Sequence, residues 1–504
     1  MPAERTAGTA AGLLLTLVLL TGCGGTAPVA GPTTPDQPWV LPDAVRADVK
    51  IALARSGDQE VPDRAAAGNR VDPNRDYALS ELIDIAQRHN PATRVAWEEA
   101  HQAALATGTA RSTLLPRLAA SVVGGYQRLS TPVTLPLVGT RTLTADVQEI
   151  IPILTVEWLL FDFGERAAAV EASRQLATVA NVQFNQMHQQ IVFDVSRAFH
   201  AGTAAEHKAA AARRALAAAR QILAAAETRE RQGLDTRIEI AQARLQLAQT
   251  DLSLVQAQGE AATARVALNA ALGLPYSTRI RLRDPGERLP AAAIDSLDQV
   301  IERALVERPD IIAGVAQLRA AEAGERVAAA GYWPKVGLIG ALSTDYNQFS
   351  FNGGSTFGTP VQQTGVLIGV TLPLYQGGLR DSTLRSARSR VTAAQAAVAG
   401  TRGAAAAEIA AAYEALRTSL AAHQAADALV AAAGVTAAAA RKGLDLGLAD
   451  LTTAIAAEKD LLEAEEARAD TRRDAFDAAA ALAFVTAALP ADAPRPDPAA
   501  KLQI

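Results

Sequence analysis

Few side chains in this sequence are spaced for chemistry. The six histidines (His89, His101, His188, His200, His207 and His423) fall on stretches patterned as helix and lack ligand spacing. His200 and His207 are seven apart and share a face, but no carboxylate or cysteine set accompanies them. Packing or solvation therefore outweighs metal binding. Asp162-Phe163-Gly164 repeats the metal-holding tripeptide of protein kinases, yet no other kinase element is present. No phosphate-cradling glycine loop and no nucleophile elbow occurs, so the sequence points to no catalysis and no cofactor.

The single cysteine points to a different chemistry. Arg5 supplies a positive start, and Ala10 to Leu20 form an apolar run too short to span a bilayer. Leu20-Thr21-Gly22 then leads directly into Cys23, which resembles a lipobox; cleavage would leave Cys23 as a diacylated N-terminus. A lone cysteine permits no intramolecular disulfide and no cysteine metal site. Gly24 rather than aspartate follows, and by resemblance to bacterial lipoprotein sorting that favours the outer membrane. The reading is a signal peptide over 1–22 and a Pro-, Gly-, Thr- and Asp-rich tether over 23–75. A loose proline-rich tail covers 490–504. No later apolar run reaches transmembrane-helix length, so any membrane crossing must use strands.

The elements between tether and tail are written twice. Asn90-Pro91 recurs as Arg308-Pro309, and Leu115-Pro116 as Trp333-Pro334, both at an offset of 218. Leu160 to Gly164 matches Leu374 to Gly378, and Gln232-Gly233-Leu234 matches Leu446-Gly447-Leu448, both at 214. A length change confined to one interval marks a variable loop, so residues 76–284 and 285–489 read as two repeats.

Hydrophobic residues make up 49% of the chain and aromatics only 4%, a composition for thin, closely approaching helices. The net charge of −5, without a basic stripe, excludes nucleic acid as partner. Residues 165–231 contain no proline and one glycine, Gly202, and 379–445 contain no proline. A helix over either stretch runs about 100 Å. Apolar or small residues recur by sevens at Val170, Ala177, Phe184, Ile191 and Ala198. Leu234, Ile238, Ala241, Leu245, Ala248, Leu252 and Val255 then alternate four and three apart, the mark of a coiled-coil seam. Its counterpart after Gly447 carries Lys459 and Glu466 on the equivalent positions.

Four segments change period to two: Leu118 to Tyr126, Leu154 to Trp158, Val336 to Leu342 and Val366 to Leu374. The joining loops are expected around Ser130–Thr144 and Asn347–Gln362. Thr155, Glu157 and Thr371 fall on the polar faces. Four strands cannot close a transmembrane barrel, and an open edge in lipid is costly, so the chain must oligomerise, giving eight strands as a dimer or twelve as a trimer. The competing reading is a periplasmic coiled-coil lipoprotein with a small β-domain.

Over about residues 77–489 the pattern resembles the TolC-type outer membrane factor family. The carriers are the helix-to-strand junctions Leu114 to Leu118 and Gly331 to Lys335, the corners at Phe163-Gly164 and Gly377-Gly378, and the paired Gly-Leu turns. With the lipobox, the chain is similar to the lipoprotein branch serving resistance-nodulation-division pumps. The resemblance implies a mostly α protein with a small β-barrel, built as a homotrimer with twelve strands and a twelve-helix tunnel. It also implies a periplasmic adaptor and an inner-membrane pump as partners, and small-molecule export as the function. The alternative within the family is a type I protein-secretion duct. Docking of the adaptor is expected at the tips, Gly233, Leu234, Gly447 and Leu448. Aperture contacts are expected from Arg231, Asp235, Arg237, Glu239, Asp445 and Asp450. The family's carboxylates beyond the second tip correspond to Thr453 and Ala456, so an acidic ring there is missing.

Overall fold

Alanine carries no side-chain entropy into a helix, and small residues let helix axes approach closely. Both effects are visible at full length in the computed structural model. It describes residues 71–488 apart from 136–138, 233–235, 285, 287–288, 290–295, 352–353 and 359. The first half runs β1 (Asp76–Tyr77), α1 (Leu79–His89), α2 (Pro91–Ser112), β2 (Arg117–Leu135), β3 (Gly139–Phe161), α3 (Glu165–Arg231) and α4 (Arg237–Leu272). The second runs β4 (Arg281–Leu282), α5 (Leu297–Glu307), α6 (Pro309–Ala330), β5 (Lys335–Phe351), β6 (Pro360–Thr371), α7 (Leu379–Asp445) and α8 (Leu451–Val485). Corresponding helices have 11 and 11, 22 and 22, 67 and 67, and 36 and 35 residues. The two short strands pair in parallel.

α3 is the central helix. It packs on α2 and α6 toward the sheet and on α4 and α8 toward the far end, while α7 packs on α6 and α8. Four helices therefore lie side by side at every level, with α2 or α4 on one flank and α7 on the other. The largest core joins α1, α3 and α4 through Leu82, Ile85, Val195, Phe199, Leu268 and Leu272. A second core near the far end draws in all four helices through Ile222, Ala226, Ala243, Ala437, Leu444, Leu451 and Ala454.

The two X-Pro junctions do the same job with different chemistry. Asn90 caps α2, accepting from the Ala92 amide at 2.9 Å, and its amide donates to the Ala271 carbonyl at the end of α4 at 3.0 Å. Gly273, which ends α4 at φ +69, sits so close that a Cβ would lie 2.8 Å from the Asn90 Cα. Arg308 takes the corresponding place in the second half and donates to the Val485 carbonyl at the end of α8 at 3.0 Å. Its buried guanidinium also binds Asp310 at 2.7 Å and Glu408 at 2.8 Å.

Burial works to raise the pKa of Asp310, but the hydrogen bonds and charge of Arg308 outweigh it and hold the carboxyl below the ordinary range. A carboxyl depressed in the folded state contributes stability above its unfolded pKa and loses it as pH falls through the folded one. Arg308→Ala should cost about 1–3 kcal/mol, chiefly by leaving the half-buried Asp310 and the Val485 carbonyl without their donor. The deficit, read as Tm against pH, should be greatest near neutrality and narrow as acid protonates Asp310.

The four long strands form one antiparallel sheet in the order β2-β3-β5-β6, leaving β2 and β6 as open edges. The strands run further than the sequence suggested. β2 and β3 stay in register from Arg117↔Glu157 to Leu135↔Gly139, through most of the expected loop Ser130–Thr144. β5 likewise continues to Phe351, and β6 starts at Pro360, inside the second expected loop. Ser130 faces Thr144 and Thr134 faces Thr140, and with Thr131, Val133 and Thr142 the stretch is rich in β-branched residues, which favour strand even with Pro132 on this edge. The hydroxyls of Thr134 and Thr140 meet across the ladder at 3.0 Å. β6 ends at Thr371, so Leu372 and Leu374, flanking Pro373, lie beyond it.

Candidate functional site

Strand parity divides the sheet into two chemically different faces. Even-numbered residues place Leu118, Val122, Ile150, Leu154, Trp158, Leu338, Leu342, Val366 and Ile368 on one face, joined row by row through the register. Apart from the half-buried Leu338 these side chains are exposed, Val122 at 70% and Val366 and Ile368 at 68%, forming one contiguous apolar band. Trp158 bounds the band at one end, and Tyr126 and Tyr346 bound it at the other. Trp158 and Ile150, the partner of Tyr346, are eight residues apart on β3, about 27 Å along the strand and about 20 Å in height at a barrel strand's tilt, close to the height of a lipid-facing band between aromatic girdles. Past Tyr126 the same face turns polar: Arg128 meets Asp146 at 2.6 Å, and the Tyr126 hydroxyl donates to Asp146 at 2.7 Å. Odd-numbered residues put Ser121, Gln127, Glu149, Thr155, Glu157, Asp345, Asn347, Gln363 and Thr371 on the opposite face, interspersed with the exposed apolar Val123, Ile339 and Leu367.

At the far end, α7 turns into α8 through Gly447, whose φ of +71 is left-handed and suits glycine. The Gly447 amide donates to the Leu444 carbonyl at 3.1 Å and the Leu448 amide to the Gly443 carbonyl at 2.7 Å, which is a Schellman cap. Leu446 and Leu448 flank it, 63% and 82% exposed. Gly233, Leu234 and Asp235 of the first tip lie outside the described residues, as does Cys23.

Three of the charged residues expected at the aperture, Glu239, Asp450 and Arg231, are occupied locally. Glu239 forms a capping box with Thr236, accepting from the Thr236 amide at 2.5 Å. Asp450, in the corresponding place, caps α8 by accepting from the Thr453 amide at 2.7 Å. Hydrogen bonds from Thr453 hold the Asp450 carboxyl below its usual pKa. Thr453 thus completes a cap. Arg231 donates to the Glu227 carbonyl and the Thr228 hydroxyl, both at 3.1 Å, within its own helix. Arg237 and Asp445 are exposed at the start of α4 and the end of α7.

Contacts between elements at this end come instead from residues the sequence reading passed over. Arg229 on α3 donates to the Leu444 carbonyl on α7 at 3.3 Å. Arg244 on α4 meets Glu227 on α3 at 3.4 Å. Arg441 on α7 touches the buried Glu458 on α8 at 2.8 Å, a charge contact without hydrogen-bond alignment. Burial raises the Glu458 pKa, and Arg441 opposes it. The signal was present: Glu458 interrupts an otherwise small-residue stripe containing Ala454 and Ala457.

Asp450→Ala should speed amide exchange at the start of α8 severalfold, because the cap is lost. Asp450→Asn should restore slow exchange, since asparagine caps equally well. If both variants altered ion conduction alike, the carboxylate charge rather than the cap would be the functional property.

The coiled-coil seam on α4 is turned away from its own chain. Ala243, Thr250 and Ala257 are buried on the inner side, spaced by sevens. Ile238, Leu245, Leu252 and Val255 form a parallel stripe, 58–71% exposed, on the flank of the helix array.

Comparison with known proteins agrees with this architecture. Residues 82–274 and 300–488 match the family model described as outer membrane efflux protein. Protein CyaE of Bordetella pertussis is 29% identical over 352 residues, which are 69% of this chain and 71% of that protein. Outer membrane protein OprJ of Pseudomonas aeruginosa is 25% identical over 331 residues, covering 65% and 66% respectively. The crystal structure of the Campylobacter jejuni CmeC outer membrane channel gives a TM-score of 0.68 at 18% identity, covering 91% of this chain and 94% of that one. At that identity the likeness establishes the fold alone.

Proposed function

Because the chain belongs to the outer membrane efflux protein family, we propose that it is the exit duct of a tripartite efflux system, working as a homotrimer. The observation that carries this reading is a lipid-facing sheet whose two edges are open. Unpaired edges in lipid leave backbone groups unsatisfied at several kcal/mol each, so further copies must supply the missing partners. Three copies join β6 of one to β2 of the next and close twelve strands. The same step brings α7 of one copy against the α2 and α4 flank of its neighbour and covers the α4 seam, giving twelve helices at every level.

Cargo passes through the wetted inner wall without any covalent step, and its movement is driven by the inner-membrane pump, of the resistance-nodulation-division type. The tips dock a periplasmic adaptor through Leu446 and Leu448, and through Gly233 and Leu234 in the first half. Opening moves the α7–α8 hairpin against α3, where Arg229 holds the Leu444 carbonyl. Residues 1–22 are a signal peptide, and the diacylated Cys23 anchors the tether 23–75 in the outer membrane. The test is the native mass of the mature protein extracted in mild detergent, with ion conduction after reconstitution. A three-chain conducting particle is expected; a monomer that stays soluble without detergent would sink the proposal.

A further inference from the structure

We infer that the mouth of the barrel reads its cargo, favouring organic cations with an aromatic or apolar body. This inference rests on the duct reading and concerns the face of the sheet turned away from lipid. Phe349 and Phe351 occupy odd positions on β5, opposite Val147 and Ala145 of β3, so they share that inner face. Phe357 continues the β6 register beyond the irregular stretch. Its amide and carbonyl bond those of Phe349 at 2.9 and 2.7 Å. The Phe357 ring lies 6.2 Å from that of Phe349 and 5.7 Å from that of Phe351. Phe351 and Phe357 are 42% and 57% exposed. Backbone pairing mounts all three rings on the wall, so they line the passage.

Deeper on the same face lie two carboxylates, Glu149 one row and Asp345 two rows below Phe349. Glu149 stands opposite Asn347 and lies over Gly125 on the other side. Asp345 accepts from Asn347 at 3.2 Å through one oxygen, and its other oxygen, buried, meets no donor among the described residues. The remaining charges of this face toward the helices are compensated: Glu157 faces Arg117 in register, and Lys335 binds Glu165 at 2.6 Å. Glu149 and Asp345 therefore leave a net negative wall directly beneath the aromatic rings. A ring face attracts cations through its quadrupole, and a low-dielectric wall focuses the carboxylate field. Apolar anions meet the rings and are repelled one row below.

The experiment uses the full chain in planar bilayers, with tetraphenylphosphonium added on the barrel side and tetraphenylborate as the same shape with opposite charge. Tetraphenylphosphonium is expected to block ion current at lower concentration than tetraphenylborate. Phe351→Leu with Phe357→Leu keeps apolar volume, removes the rings and should weaken that block about five- to thirtyfold, leaving the potassium-to-chloride permeability ratio unchanged. Glu149→Gln with Asp345→Asn should bring that ratio close to unity. Block that is equal for both ions, or equal in parent and Leu variant, overturns the inference and leaves the duct reading intact. Absence of ion current from every preparation overturns the duct itself, and this inference with it.

Discussion

Leu245→Glu combined with Leu252→Glu is expected to yield a chain that folds, keeps its helical content and extracts as a monomer. Both leucines are 58% exposed on the outer stripe of α4, so within one chain the change touches little. Exposed substitutions of that kind ordinarily stay within about 0.5 kcal/mol. In the proposed trimer the stripe would be buried against α7 of the next copy. Each leucine then withdraws apolar surface worth about 1.5–3 kcal/mol, and a carboxylate in its place must be desolvated. A closed ring contains this interface three times, so the penalty falls on every junction at once. The readout is native mass in detergent beside circular dichroism. A persistent trimer would reduce the seam to a solvated stripe. Ala243→Glu, on the buried inner stripe, should instead unfold the α3–α4 hairpin, which separates assembly from folding.

Leu448→Asp should leave the trimer and its conductance intact while cutting export at least tenfold. In a Schellman cap, an apolar residue in this place often packs on the helix residue that accepts its amide proton. Here that acceptor is Gly443, which has no side chain to offer, and Leu448 remains 82% exposed. Local structure therefore does not account for the leucine, whereas the proposed docking of an adaptor helix over the tip would. Burying it there contributes about 1.5–3 kcal/mol, and aspartate adds a desolvation cost to the loss. Co-purification with the adaptor and cellular resistance to cargo are the two readouts. Unchanged export in the variant would move docking away from this tip.

The repeat was legible because it is recorded in spacing: helix breakers and Gly-Leu turns sit at fixed offsets, and the elements follow them. Strand existence was legible from parity, but strand ends were not. Ser130 to Thr144 carries Pro132 and reads as loop, although cross-strand pairing keeps residues 130–135 and 139–144 extended. Pairing is nonlocal, and the sequence of one strand does not display its partner. The aperture residues show a related limit. Asp450 and Glu239 are charged and lie near tips, as a gate requires, yet each is used by the backbone of its own helix. Charge at a helix start serves capping first. Arg229, Arg441 and Glu458 escaped notice because their partners come from other elements. Likewise, periodicity revealed the seam on α4, but only packing showed that its own chain leaves it uncovered.

The equality of α3 and α7, at 67 residues each, makes this chain a measuring rod. At about 1.5 Å per residue, one heptad more or less displaces a tip by about 10 Å. A heptad inserted in one long helix and its return helix would leave the six tips of a trimer on two levels, and a flat-ended adaptor would meet only three of them. Inserted in both halves, it would keep the tips level and lower the docking plane as a unit. In the proposed assembly, periplasmic depth would thus be set by a matched pair of lengths, changed without tilting the docking plane only when both change together.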